Sequence, residues 1–424
     1  MVDQSINKLH DPESFPFFIR NNVQNLPDWM IKEKEAAFDQ YSEIGLAITK
    51  SPTWKDTDLK KMLTDFFNKD FENELPSFSD YETDSSIDHS LKVFAYGGKY
   101  YINEEYPNYL KILSNSFSEC DSGIFNTTEE SSDQYLPLLL NNIVCKDELS
   151  IKTNTNQHVD ELIHIVHLPH ENMNVAPRLN IELSENSSIK ILEEFHPTSH
   201  SIINNQVDIK CQNDSALEFY RVNHSHNGSH QIDSRFCHLE ENSEMKLFTL
   251  DFGAEMSKTF NSISLIGERS ISSCNTLFLP SGEKSSHHNV LMDHLADQTN
   301  SSVNFRGVMS DQSSGSFFGK VRVKKERKQT TAFMQNKNLL LSDDAKISTV
   351  PILEIYNDDT ECSHSATSGS LDKEKLFYLK SRGINESEAK DFLIKSFIDE
   401  ITNQIKRKRV REYINILIDS YYSI

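Results

Sequence analysis

The chain has 424 residues, with 64 acidic against 43 basic side chains for a net charge of -21. It is long enough for two or three domains around a large core, and its acidity argues against general binding to nucleic acid or anionic membrane, so its expected partners are proteins. Six cysteines without a CxxC pair, a start (MVDQSINKLHDPESF) without a basic and apolar leader, and the lack of an apolar run of about 18 residues together predict a soluble cytoplasmic protein with free thiols.

Residues 1–135 are expected to form a mostly helical N-terminal domain with a linker and a small hairpin. Pro27 opens a segment in which Trp29, Met30, Ala36, Ala37, Phe38 and Tyr41 can share one helical face, and Gly45 closes it. A second helix is predicted over 58–71, after the run Trp54-Lys55-Asp56-Thr57-Asp58-Leu59. The Ser- and Asp-rich stretch 77–90 reads as a flexible linker. Beyond it, VFAYGGKYYI predicts a hairpin turning at Gly97 and Gly98.

From about Leu136 to Ile355 short alternating segments predict strands. Phe219, Phe248, Phe278, Phe305 and Phe333 lie 29, 30, 27 and 28 residues apart, and Phe236, Ile263, Val290, Val321 and Val350 follow at steps of 27, 27, 31 and 29. Two interleaved series of one period imply a coil with at least two strands per turn, so 136–365 is predicted to be a β-helix core, mainly β, in which each coil buries its inner face on its neighbours. A large antiparallel sandwich with evenly spaced strands is the other architecture this spacing admits.

Chemistry, an interface and a change of architecture meet near the end of that region. Asp358 and Asp359 precede Cys362 and His364, which on an extended chain leave the same face. A thiolate and a neutral imidazole suit iron or zinc, but two ligands are half of a closed site, and a buried cysteine beside a capping histidine is the other reading of the pair. The two aspartates, pointing to opposite faces of a strand, read as structural or edge-protecting. Residues 366–424 are expected to be a C-terminal helical domain. Asp372 caps a helix carrying Leu376, Phe377 and Leu379 that Gly383 stops. Asn385 and Glu388 make a capping box, and Ala389, Phe392, Leu393, Phe397, Ile401 and Ile405 continue one apolar stripe. His224, His226 and His230 read as solvated positions on outward faces, and nothing in the spacing closes a metal site around His287, His288 or His294. The basic runs KKERK and KRKR read as solvated faces, and no GxxxxGK[ST] phosphate loop is present.

The block from Asn338 onward (NLLLS, P-x-LEI, DD-x-x-CSH-x-AT, LFYLKSRGI), with WKDTDL near the start, resembles the SufB/SufD family of the Suf iron-sulfur cluster assembly system, on its SufD side. The SufB pattern has an E-H-E run and a further cysteine, where this chain has no such run and carries Asn336; Ser365 replaces the glycine usual after the histidine. His294 also matches a histidine of the SufD pattern. The resemblance implies a right-handed parallel β-helix and a non-catalytic scaffold subunit that forms a heterodimer with SufB and shares a transient iron-sulfur cluster with it. His364 is then the better ligand and Cys362 the second. It further implies docking of the ATPase SufC on the C-terminal helical region, with contact over 368–383 through Leu371, Leu376, Phe377, Leu379, Arg382 and Gly383. Whether a flavin joins the complex stays open. A homodimeric scaffold doing both subunits' work and a carbohydrate-active enzyme on a β-helix are the competing functions; the enzyme would need clustered carboxylates and basic residues along an outer groove.

Overall fold

The computed structural model describes residues 28–44, 54, 87, 90–102, 110–113, 132–145, 147–168 and 174–422. The second N-terminal helix expected over 58–71 lies outside them, as does most of the linker expected over 77–90. Helix α1 (Asp28–Ile44) runs along the segment read from Trp29 to Tyr41 and buries Ala37, Phe38 and Tyr41. Strands β1 (Ser90–Tyr96) and β2 (Lys99–Ile102) form the expected hairpin. Gly97 and Gly98 sit at its tip with φ of 58° and 77°, the left-handed pair that a two-residue turn demands.

Strand β3 (Leu110–Leu113) and helix α2 (Ser132–Val144) lead into a long succession of strands. These are β4 (Glu148–Thr153), β5 (His158–His167), β6 (Asn174–Val175), β7 (Arg178–Leu183), β8 (Ser188–Phe195), β9 (Ile202–Cys211), β10 (Ala216–Asn223), β11 (His230–Leu239) and β12 (Glu244–Asp251). They continue as β13 (Met256–Leu265), β14 (Ile271–Phe278), β15 (Ser285–His294), β16 (Asn300–Met309), β17 (Ser314–Val323), β18 (Thr330–Leu340), β19 (Lys346–Ile355) and β20 (Thr360–Gly369). From β7 onward alternate strands go to two sheets, β8 to β20 in one and β7 to β19 in the other, and each pairs in parallel with the strand two further on. The result is a parallel β-solenoid of about seven turns.

One corner of the coil sets the period. Asn186, Asp214, Asn242, Arg269 and Gln298 all hold left-handed backbone, which asparagine and aspartate tolerate better than other side chains. The next residue in each case is Ser187, Ser215, Ser243, Ser270 or Thr299, whose hydroxyl donates to the carbonyl three residues back. This local turn competes well with further strand. The corners also stack: Asn242 Nδ2 donates to Asp214 Oδ1 at 3.0 Å and Arg269 Nε to Asn242 Oδ1 at 2.7 Å.

The phenylalanine series has the right period but is no single column. Phe219 is inward and pairs with Leu247, whereas Phe248 pairs with Tyr220 on the outer face, and Phe333 is 42% exposed. In the other sheet Ile263, Met292, Val321 and Leu353 are in true register, with Cys237 rather than Phe236 beside Ile263. The reason is that both faces of many strands are buried. The lumen holds Leu217, Phe219, Met245, Leu247 and Val303; α1, α2 and Trp54 cover Ile202, Ile232, Met256 and Phe260 on one outer face. The other outer face, including Tyr220, Phe248 and Leu250, lies under α4 (Glu386–Thr402) and α5 (Lys408–Tyr422). Apolar residues on both sides of a strand erase the alternation that fixes register.

Helix α3 (Lys373–Ser381) precedes these two and buries none of its residues. In α4 the buried positions are Ala389, Ile394, Ile398, Ile401 and Thr402; the expected stripe holds at Ala389, Ile401 and Ile405, with Phe397 packed beside them, and is corrected at Phe392, which points away and is 61% exposed. Ile394, Ile398, Ile401 and Ile405 repeat at helical spacing just as well, and the sheet beneath selects their side.

Candidate functional site

Cys362 and His364 stand on the last rung of the solenoid. Strand β20 pairs with β18 so that Ala332 faces Cys362 and Met334 faces His364. Ala332 and Met334 are buried members of the lumen, and therefore Cys362 and His364 extend two inward-facing ladders. One of these runs Phe219, Leu247, Cys274, Val303, Met334, His364. No described strand lies beyond β20, so the rung is uncovered: Cys362 is half-buried against the core and His364 is exposed. Burial raises the Cys362 thiol above its usual pKa, opposed by hydrogen bonds with Thr360 and with the Ala332 backbone. It is a thiol at neutral pH until a cation displaces its proton.

Beneath this rung lies a polar cluster. Asn336 is fully buried; its Oδ1 accepts from Thr349 Oγ1 at 2.8 Å and from Asn338 Nδ2 at 2.7 Å. Asp358 and Asp359, expected on a strand, lie instead in the bend between β19 and β20. Asp359 closes that corner by accepting from the Gln329 amide at 3.3 Å. Among the described residues β19 pairs only with β17 in its sheet and β20 only with β18 in the other, which leaves two ten-residue edges open side by side.

The residues expected at a partner surface lie directly after β20. Asp372 caps α3, its carboxylate accepting from the amides of Glu374 and Lys375 at 2.9 and 3.1 Å. Leu371 packs on the cluster under the C-terminal helices, Leu376 and Leu379 are half-buried, and Phe377 is 75% exposed. Arg382 lies 5.3 Å over the Tyr378 ring, and Gly383 ends the helix with φ 92°. Tyr378, Phe377 and Phe392 are large apolar side chains left in solvent, unusual for a helix pair with no partner.

Of the three histidines read as outward and solvated, His224 and His226 are half-buried and His230 is buried, and His287, His288 and His294 are buried as well. His288 lies among the rings of Phe278 and Phe305, at 4.9 and 5.6 Å, and His294 contacts Thr299 Oγ1 and Ser301 Oγ at 2.7 and 2.9 Å. A buried charge network in the lumen has no counterpart among the sequence expectations. Arg221 bridges Glu193 and Asp233, Arg235 also binds Asp233, and His167 Nε2 lies 2.8 Å from Glu193 Oε1. Its signal was present: Glu193 and Arg221 occupy one ladder position in adjacent coils.

Residues 166–397 match the family model described as SUF system FeS cluster assembly, SufBD core domain. The chain belongs to the SufBD family of iron-sulfur cluster assembly proteins. It is 27% identical over 257 residues to the iron-sulfur cluster assembly protein SufD of Escherichia coli (strain K12), covering 60% of this chain and 61% of that protein. A SufBD family protein of Synechocystis is 28% identical over 243 residues (54% and 53%), and the chloroplastic protein ABCI7 of Arabidopsis thaliana 26% over 243 (56% and 50%). The chain thus spans between half and three fifths of the length of these relatives. The SufBD match contains the solenoid from β6 onward, the Cys362 and His364 rung and α3. Among the described residues no helix is long and apolar enough to cross a membrane.

Proposed function

We propose that this SufBD protein is a non-catalytic scaffold subunit of the cytoplasmic Suf system, paired with SufB through the β19 and β20 end and docked to the ATPase SufC through α3. The observation that carries the reading is the open double edge with Cys362 and His364 on its inner face. Exposed strand edges of this length are normally blunted or covered, since their free N–H and C=O groups recruit other strands. A second solenoid end would satisfy both edges at once and bring its own side chains against the last rung. Cys362 and His364 offer one sulfur and one nitrogen; a nascent iron-sulfur cluster, the cargo of the system, needs further ligands, which SufB supplies. The sequence holds no phosphate loop, so ATP hydrolysis belongs to the partner that covers Phe377 and Tyr378.

The test is co-expression of tagged wild-type, His364→Ala and Phe377→Glu chains with SufB and SufC, followed by anaerobic assay of iron and acid-labile sulfide. Wild type is expected to retain both partners and cluster. His364→Ala should keep both partners and lose most iron and sulfide, and Phe377→Glu should lose SufC alone. Wild type purifying without partner or iron would overturn the proposal.

A further inference from the structure

His196 and His224 hold the same corner position in successive coils. Their amides donate to His167 O and Phe195 O, both at 3.0 Å, and their rings stack 4.2 Å apart at 18°. Between the pair and the sheet lies Glu194, wholly buried on the outer face of β8. Its Oε1 lies 2.6 Å from His224 Nε2 and accepts from the Tyr413 hydroxyl of α5 at 2.6 Å, while Oε2 lies 2.9 Å from His164 Nε2. His196 Nε2 stands 3.6 Å from Oε1, outside hydrogen-bond reach, and is buried without a hydrogen-bond partner; so is Nδ1 of the buried His164. Three imidazoles thus converge on one carboxylate that satisfies only two of them. A buried polar atom left this way destabilises the site until something pairs with it.

We propose that Glu194, His196 and His224 bind a divalent first-row transition ion, with His164 as a positioning residue for the carboxylate. Their ligand atoms all lie within 4.8 Å of one another. Bonds of about 2.0–2.1 Å in a tetrahedral site place donors about 3.3 Å apart, so the present 3.6 Å separation is nearly right and the 2.6 Å contact must open by about 0.7 Å. The His196 and His224 side chains are 34% and 23% exposed, which gives the ion an entry and leaves room for water as a further ligand. Two imidazoles and one carboxylate form the donor set of Zn²⁺ and Fe²⁺ sites that retain open positions. His164 and Tyr413 then act as outer partners that hold the carboxylate in one orientation. The site spans the rungs of β8 and β10, six and five steps from β20 in the same sheet and so about 24–29 Å away, and stands or falls apart from the proposed assembly function.

The experiment uses the full chain carrying Cys362→Ser and His364→Ala, so that the end rung contributes no donors. After chelation it is titrated anaerobically with Co²⁺, whose visible bands report nitrogen and oxygen ligation, and the bound ion is then competed with Zn²⁺ and with Fe²⁺. One equivalent with visible bands is expected, displaced by either ion, and the relative affinities say which class the site prefers. His196→Gln and His224→Ala, each checked for folding by circular dichroism and melting, should weaken uptake at least tenfold. The parent chain's titration decides alone should a variant fail to fold: no bound equivalent overturns the site. Uptake unchanged in a folded His196→Gln chain overturns it as well.

Discussion

His287, His288 and His294 show how a solenoid treats a titratable side chain once coils stack on both sides of it. Burial is the main cause that lowers all three below the ordinary histidine range, to about 3 for His287 and about 4 for His294, with Lys258 adding to the effect at His287. Each is therefore neutral when folded and protonates readily only when unfolded. Because the folded value is depressed, the stability it represents is present above the unfolded pKa of about 6.5 and is lost as pH falls toward the folded value. The expected outcome is a denaturation midpoint that is flat above pH 7 and falls between pH 6.5 and 4, by up to about 1.4 kcal/mol per pH unit for each histidine. Replacing His294 with Gln should flatten part of that slope; a slope unchanged in the variant would mean that His294 contributes nothing to it. At this scale the sequence was legible where residues are adjacent in the chain. Cys362 and His364 share a face because i and i+2 must on any strand, and β20 is a strand. His196 and Glu194 found His224 and His164 only through stacking, across 28 and 30 residues, and no local pattern marks such partners.

The elements are dictated by the corners more than by the strands. A left-handed residue followed by serine or threonine recurs at Asn186, Asp214, Asn242, Arg269 and Gln298, and a search for that pair would have set the register that phenylalanine counting missed by between one residue, as at Phe248 beside Leu247, and four, as at Phe278 beside Cys274. Strand periodicity was blurred because helices bury the outer faces, whereas the corner is a backbone requirement that packing does not alter. One coil departs from the pattern through Gly267, where a Cβ would come within 2.0 Å of the Glu241 amide nitrogen of the preceding coil. Backbone cannot yield as a side-chain tip does. Gly267→Ala is expected to push two corners apart and destabilise the chain by about 1–3 kcal/mol, seen as a lower denaturant midpoint at unchanged slope. A midpoint equal to wild type would show that this corner relaxes freely. The capped ends of α3 and α4 were readable from Asp372, Asn385 and Gly383, since caps are local. The face α4 buries was readable at Ala389 and Ile401 but not at Phe392, since two sides of that helix are apolar.

At the scale of the molecule the solenoid is a stack in which each rung is held by two neighbours, except the last. In a parallel strand alternate amides point to opposite sides. Interior strands such as β11 to β14 donate on both sides; among the described residues β19 and β20 have one occupied side and one open edge. The helices do not correct this asymmetry: α1 and α2 cover one outer face and α4 and α5 the other, and α3 buries nothing. A quasi-one-dimensional array opens from its weakest end. In the isolated chain, hydrogen exchange should therefore be fast for about half of the amides in β19 and β20, with the rest released by local opening, while β11 to β14 exchange only near the global limit. Titrating in SufB should slow the edge amides first and leave the interior unchanged. If β19 and β20 are already as slow as β11 to β14 in the chain alone at low concentration, the edge is covered by the chain itself. The last rung would then be closed to a partner, and Cys362 and His364 would have to be read as core rather than as ligands waiting for their complement.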